Sequence, residues 1–182
     1  MSRKTYQNSR VVEKTKAVRI IRRKPPEMGQ LKLNVDASLF VGENSFSVGM
    51  LIRNEVGGFV RGKSMKIQGE VLVLEAEARG IQEALRWVDE LGLQGVVIES
   101  DSELAVKAMK NETCYYLELG HCLDSCRRQL KHRVDLSLCH VKKQANMGAH
   151  LMARVPVSLN CFNIFESPPS LLLETLSTDF SS

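Results

Sequence analysis

Three acidic residues occupy positions where a carboxylate is locally unfavourable. Asp36 in LKLNVDAS and Asp101 in VVIESDSELAV end apolar, β-branched runs, and Glu77 in EAEARGIQEAL lies on a predicted helix directly after an apolar stretch. Carboxylates are almost never buried unless something pairs with them. Three that converge at the ends of core strands would form an oxygen-rich site of the kind that suits Mg²⁺. We therefore expect a divalent-cation site, and two such ions could activate a water and neutralise the leaving oxygen of a phosphodiester.

The predicted order of strands and helices allows these side chains to meet. Residues 31–38, 46–53 and 58–67 alternate as strands and form an antiparallel meander. Apolar spacing then predicts a helix over 72–91 that ends at Gly92, followed by a buried strand over 95–100. The remaining predicted elements are a helix from Ser102 to about 109, a helix over 116–131, a strand over 134–141 and a helix over 146–154. If the first and fourth strands pair in parallel, Asp36 and Asp101 become neighbours at one end of a mixed α/β sheet.

Length and composition indicate one domain with two tails. The chain has 182 residues, of which 43% are hydrophobic, enough for a substantial core. We predict a basic, disordered arm over 1–28, a domain over 29–156, and a tail over 157–182 whose SLLLETL segment forms a short docked helix. There is neither an apolar run of the ~20 residues that a membrane span needs nor the apolar core of a secretory signal. We expect an intracellular protein with reduced cysteines, not secreted and without a membrane partner.

The N-terminal arm concentrates the positive charge. Residues 1–28 hold nine Lys and Arg against two Asp and Glu, whereas the rest of the chain holds sixteen against nineteen. A basic arm on a mildly acidic body fits a polyanionic partner. The alternative, a solvated tail or a targeting signal such as nuclear import through Arg22, Arg23 and Lys24, stays open.

Four motifs, in order and spacing, resemble the RNase H superfamily, type 1. They are NVDAS, AEARGIQEAL, IESDSELAV and HVKKQANMGAHLMA, and the resemblance extends over about residues 25–179. The similarity is greatest to the plant reverse-transcriptase-like RNase H domain associated with non-LTR retrotransposons. It implies a five-stranded mixed sheet of order 3-2-1-4-5 with helices on both faces. It also implies endonucleolytic hydrolysis of the RNA strand of an RNA–DNA hybrid, with no small-molecule cofactor.

The resemblance assigns roles to individual residues. Asp36 would bridge two Mg²⁺ ions, for which Mn²⁺ can substitute, and Asp101 and Glu77 would complete the ligand set. Glu77 is preferred to Glu75, which we expect to face solvent. The family's fourth carboxylate falls on His150, which could either coordinate a metal or hydrogen-bond a neighbouring carboxylate.

Further departures concern contact with substrate. Ala37 replaces a glycine, and its methyl could obstruct the RNA backbone. Glu103 places a negative charge where a neutral contact is usual, and the loop between Val141 and Asn146 has no histidine. These departures leave a second hypothesis open, a retroelement-derived module that binds nucleic acid with weak or no catalysis.

Several polar and basic residues are candidate contacts for nucleic acid. The cluster at the end of the 116–131 helix could grip phosphates or could simply complement the helix dipole. We expect the protein to act as a monomer. The candidates are Ser38, Ser102, Arg127, Arg128, Lys131, Lys142, Lys143 and Asn146.

Overall fold

A computed structural model, which describes residues 29–40, 42–111, 115 and 117–180, shows one mixed six-stranded sheet. The strands are β1 (Leu31–Leu39), β2 (Ser45–Arg53), β3 (Phe59–Gln68), β4 (Val96–Ser100), β5 (Ser137–His140) and β6 (Phe162–Phe165). Their order is β5-β4-β1-β2-β3-β6. Strands β1, β2 and β3 are antiparallel neighbours, whereas β4 lies parallel to both β1 and β5. The predicted order 3-2-1-4-5 is confirmed, and the predicted number of five strands is corrected to six.

The additional strand comes from the predicted tail. β6 pairs antiparallel with β3, with Met65 opposite Phe162 and Gly62 opposite Phe165. The segment FNIF is four residues long and mostly exposed, and so short a run does not by its periodicity distinguish a strand from other structure. Only the free edge of β3 makes it a strand. The predicted N-terminal arm, residues 1–28, lies outside the described residues.

The helices are α1 (Val73–Glu90), α2 (Glu103–Lys110), α3 (Leu117–His132), α4 (Met147–Met152) and α5 (Ser170–Phe180). A 3-10 turn, Lys143–Asn146, leads directly into α4, where the sequence predicted one longer helix. α1 ends at Glu90, one residue earlier than predicted, and the predicted cap Gly92 follows with a φ of +60°. The N–H of Gly92 donates to Asp89 and that of Leu93 donates to Val88, which satisfies carbonyls that the helix end leaves free.

The two faces of the sheet are covered by different helices. The first three helices enclose the larger core, in which Leu33, Val48, Ile81 and Ile98 are fully buried. Trp87 is 1% exposed in this core, as its helical spacing predicts. On the opposite face, α4 and α5 bury a smaller apolar cluster of Leu51, Met152, Leu172 and Leu176.

Close contact between α4 and the sheet depends on a glycine in β2. A Cβ built on Gly49 would lie 2.1 Å from the backbone nitrogen of Ala153 and 2.4 Å from the carbonyl oxygen of Ala149. Any side chain there would push α4 away from the sheet.

None of the described helices is both long and apolar enough to cross a bilayer.

Candidate active site

Asp36 and Asp101 meet at the ends of adjacent parallel strands. Val35 of β1 lies opposite Ser100 of β4, so each aspartate is the next residue at the same end of the sheet. Their carboxyl groups lie within hydrogen-bonding reach of each other. Burial, and after it the negative charge of Asp101, raises the pKa of Asp36 to about 6.

Glu77 joins them from α1, one turn inside the start of the helix. Its carboxylate accepts a hydrogen bond from the backbone N–H of Ala37, the residue after Asp36. Burial, together with the charges of Asp36 and Asp101, raises the pKa of Glu77 to about 8. The three predicted ligands are therefore electrostatically coupled in one acidic site.

The donors fit a hard divalent cation by their chemistry. Carboxylate oxygens are the ligands that Mg²⁺ prefers, and mutual repulsion raises their pKa values when no cation neutralises them. Across the described residues, no group of three or more His, Cys, Asp or Glu side chains is arranged to hold a metal ion in its present positions. The charges of Asp36 and Asp101 nonetheless raise the pKa of Glu77, so all three carboxylates lie in one neighbourhood where a cation would relieve their repulsion.

His150 contacts Asp36 from α4, on the face of the sheet opposite to α1. Its Nδ1 lies 2.9 Å from Oδ2 of Asp36, and the imidazole is about one-fifth exposed. This hydrogen bond lowers the pKa of Asp36 and so opposes the effect of burial. Of the two alternatives that the sequence leaves open, the structure shows the hydrogen bond to a neighbouring carboxylate.

Asn146 holds Asp101 from the start of α4. Its side chain is fully buried, and its Nδ2 donates to Oδ1 of Asp101 at 2.7 Å and to the carbonyl of Val35 at 2.9 Å. The amide of Asn146 is thus bonded within the protein, and its predicted contact with nucleic acid stays a prediction. Ser38, predicted as another contact, is 9% exposed on β1.

The other predicted contacts fall into two groups. Ser102 caps α2 by accepting from the N–H of Ala105 at 3.3 Å, and it lies next to Asp101. Lys142 and Lys143 are exposed at the 3-10 turn that ends in Asn146, beside the site.

The α3 cluster is separate from the carboxylates. Arg127 donates to the carbonyl of Ala108 at 2.7 Å and pairs with Asp124 at 2.9 Å, so it joins α3 to the far half of α2. Arg128 and Lys131 are exposed on the same helix. The structure does not bring this cluster together with Asp36, Glu77 and Asp101.

The structure shows what surrounds Ala37 and Glu103, which depart from the family pattern, and Glu75. The Ala37 methyl packs on the α1 side of the sheet, where a Cβ at Gly80 would lie 3.9 Å from it. Glu103 forms an ion pair with Lys107 at 2.7 Å, which lowers the pKa of Glu103 and reduces its effective charge. Glu75 does not face solvent freely, since it pairs with Arg79 at 2.9 Å.

A set of buried polar residues behind the site escaped the sequence analysis. Lys32, Asn34 and Glu99 are each at most 9% exposed and lie on β1 and β4. Lys32 and Asn34 alternate with apolar residues, so they are typical of a solvated strand face. The available signal was Glu99, a charged residue inside the otherwise apolar run VVIES.

A cleft of about 460 Å³ lies apart from the carboxylates. Its lining includes Ser47, Lys66 and Arg154, and Ser47 pairs with Ser38, two residues beyond Asp36 on β1.

The sequence model of the reverse transcriptase-like family matches residues 34–155. This range includes all three carboxylates and His150. The chain belongs to the reverse transcriptase-like family. A search of the curated proteins finds no match to this reverse transcriptase-like domain.

Solved structures show that this reverse transcriptase-like domain has the RNase H fold. RNase H1 from Halobacterium salinarum superposes with a TM-score of 0.59 at 22% identity, over 69% of this chain and 95% of that one. An N-terminal RNase H domain from Mycobacterium tuberculosis gives 0.59 at 17% identity, over 68% and 90%. LC11-RNase H1, solved in complex with an RNA/DNA hybrid, gives 0.53 at 19% identity, over 68% and 93%.

Proposed function

We propose that this reverse transcriptase-like domain hydrolyses the RNA strand of RNA–DNA hybrids with the help of a divalent cation. The observation that carries the proposal is the coupling of Asp36, Asp101 and Glu77 at one end of an RNase H-type sheet. A neighbour of the same fold, LC11-RNase H1, has been solved with an RNA/DNA hybrid, which supports this choice of substrate.

Asp36, Asp101 and Glu77 would hold Mg²⁺ or Mn²⁺. When bound, such an ion lowers the pKa of the attacking water and stabilises charge on the phosphodiester oxygens. Each of the three residues contributes oxygen donors from a different element: β1, the end of β4, and α1. Because the elements are fixed by the core, the ligands are held before substrate arrives.

His150 and Asn146 keep the two aspartates in place. His150 bonds Oδ2 of Asp36, and Asn146 bonds Oδ1 of Asp101, so each aspartate is held by a side chain from the segment 146–150. Neither residue needs to contact the substrate for this purpose.

Recognition of the hybrid would depend on shape, phosphates and the ribose 2′-OH. Glu77, which is partly exposed, would accept a hydrogen bond from a 2′-OH. Lys142 and Lys143 can contact phosphates of the bound strand from the turn beside Asp101. None of these contacts reads a base, so cleavage would show little sequence preference.

Cleavage of a labelled hybrid by the purified protein in Mg²⁺ tests the proposal. Asp101→Asn should abolish cutting while the circular dichroism spectrum stays unchanged, whereas the exposed Asp124→Asn on α3 should cut normally. Equal activity in both variants would mean that the acidic site is not the active site.

The second candidate function is binding without turnover. The hydrogen bond of His150 to Asp36 favours this candidate. His150 takes the place of the family's fourth carboxylate, and its imidazole is bonded to Asp36, itself a proposed metal ligand. Absence of cutting in both Mg²⁺ and Mn²⁺, with salt-dependent binding of the hybrid retained, would establish this candidate.

A further inference from the structure

A line of buried polar side chains runs behind the carboxylates, between the sheet and the 3-10 turn. It consists of Lys32, Asn34, Glu99 and Asn146, each at most 9% exposed. Hydrolysis as outlined above does not use the first three. Buried polar groups are unfavourable unless they are hydrogen-bonded, and these four are bonded to one another.

The contacts form a continuous path from Lys32 to Asp101. Lys32 Nζ lies 2.6 Å from Oε1 of Glu99. Asn34 Nδ2 donates to Oε2 of Glu99 at 3.0 Å and to Oδ1 of Asn146 at 3.1 Å. Asn146 Nδ2 then donates to Asp101 at 2.7 Å.

The orientation of the Asn34 amide is set by two neighbours, the Glu99 carboxylate, which can only accept a hydrogen bond, and the Arg53 guanidinium, which can only donate one. A carboxylate such as Glu99 has no hydrogen to donate, and a guanidinium has no acceptor. Asn34 lies between the two, with its NH₂ toward Glu99 and its oxygen 3.4 Å from Nη2 of the buried Arg53. A reversed Asn34 would set oxygen against carboxylate and NH₂ against guanidinium, so one orientation is selected.

The orientation of the Asn34 amide fixes that of the Asn146 amide. Asn34 presents NH₂ to Asn146, so Asn146 must present its oxygen in return. The NH₂ of Asn146 is then left to face two acceptors, the Val35 carbonyl and the Asp101 carboxylate. Asp101 thereby receives a donor at a fixed position.

We propose that Glu99, paired with Lys32, is a positioning residue that sets the orientation of Asn34 and Asn146 and so fixes the Asp101 carboxylate for its cation. The role of the cation rests on the proposed function, whereas the orientation of the amides does not. A stability role alone would not require this pair, because buried ion pairs can often be replaced by apolar residues without loss of stability.

The test removes the ion pair as a unit. Lys32→Met/Glu99→Leu avoids leaving one buried charge without its partner, and Asn34→Leu breaks the path at its middle. The matched control is Lys66→Met/Glu43→Leu, a Lys–Glu pair of the same 2.6 Å length that is away from this path.

Two measurements follow each variant. In metal-free protein, NMR signals of the Asn146 side-chain NH₂ should shift in the two test variants and stay in place in the control. The Mg²⁺ concentration that half-saturates the protein, followed by the same spectra, should rise about 10- to 100-fold, as for other residues that orient metal ligands. Folded test variants with unchanged Asn146 signals and unchanged half-saturation would overturn the proposal.

The unmodified protein provides a measurement that does not depend on how the variants fold. The NH₂ protons of Asn34 and Asn146 should exchange with solvent far more slowly than those of the exposed Asn111, and equally fast exchange would overturn the proposal. If the protein cuts no hybrid, the proposed function fails, while the amide signals still decide the role of Glu99.

Discussion

Gly49 lies directly opposite Asp36 across β1 and β2, on the face of the sheet that α4 covers. The absence of a side chain at Gly49 lets α4 rest on the sheet backbone, and α4 carries His150 to within 2.9 Å of Asp36. Gly49, which allows close packing of α4, therefore also determines what surrounds the Asp36 carboxylate.

Gly49→Ala should destabilise the protein and weaken the site. The added Cβ would overlap backbone atoms of α4 that cannot move aside singly, and overpacking of this kind costs about 1–3 kcal/mol. Urea unfolding measures the loss. Gly80→Ala is the control, since its Cβ would come no closer than 3.4 Å to a side chain and would favour the helix by up to about 1 kcal/mol. Equal stability of the two variants would contradict the close approach of α4.

Stability of the metal-free protein should fall as pH rises from about 4 to 8. The folded-state pKa values of Asp36, about 6, and Glu77, about 8, lie above their ordinary values, so the folded protein binds more protons than the unfolded chain in this range. Stability is then fully present at the acidic end and lost toward pH 8. Since one pKa unit corresponds to about 1.4 kcal/mol, the decline should reach a few kcal/mol.

Glu77→Gln and added Mg²⁺ should each flatten this decline. The amide has no charge to lose, and the cation favours the ionised carboxylates. Denaturant unfolding at several pH values measures both effects. A decline of the same size in Glu77→Gln would show that Glu77 ionises freely.

His150→Asp should raise cleavage in Mg²⁺. The substitution replaces an imidazole with an oxygen donor, which is the better ligand for a hard cation. Single-turnover cleavage of a hybrid measures the change, which we expect to be at least several-fold. His121→Asp, on the exposed surface of α3, is the control. A lower rate in His150→Asp would indicate that the hydrogen bond to Asp36 matters more than a fourth carboxylate.

Leu172→Ala should destabilise the protein by about 2–5 kcal/mol, as is usual for a fully buried leucine. Leu172 of α5 packs with Leu51 and Met152, so it ties the C-terminal segment to α4. Leu173→Ala on the same helix is the control, because Leu173 is 53% exposed and its loss should cost less than about 0.5 kcal/mol. Thermal unfolding compares the two, and similar midpoints would argue against docking of α5.

Lys142→Gln/Lys143→Gln should weaken hybrid binding and reduce its dependence on salt. Each phosphate contact contributes about 0.9 to the slope of log affinity against log salt, so the slope should fall by nearly 2. Arg128→Gln/Lys131→Gln should change the slope less, because these residues lie on α3 away from the carboxylates. The reverse result would place the nucleic acid along α3. Titrations with Asp101→Asn as background avoid cleavage during the measurement.

The sequence by itself determined the elements of the central sheet and the three carboxylates. Periodicities of two and 3.6 residues mark β1–β4 and α1, because burial of one face imposes those spacings locally. Asp36, Glu77 and Asp101 stand out for a related reason, since a carboxylate within or beside an apolar run is unfavourable without a partner.

Only the tertiary structure decided the features that depend on contacts between distant segments. β6 became a strand because β3 had a free edge, and the amide of Asn146 became a partner of Asp101 because the 3-10 turn buries it against Val35 and Asp101. The sequence pattern of Lys32 and Asn34 predicts a solvated strand face, whereas in the structure α4 and its turn cover both residues. Their partner Glu99 lies more than sixty residues away, and no local pattern encodes a hydrogen bond over that separation.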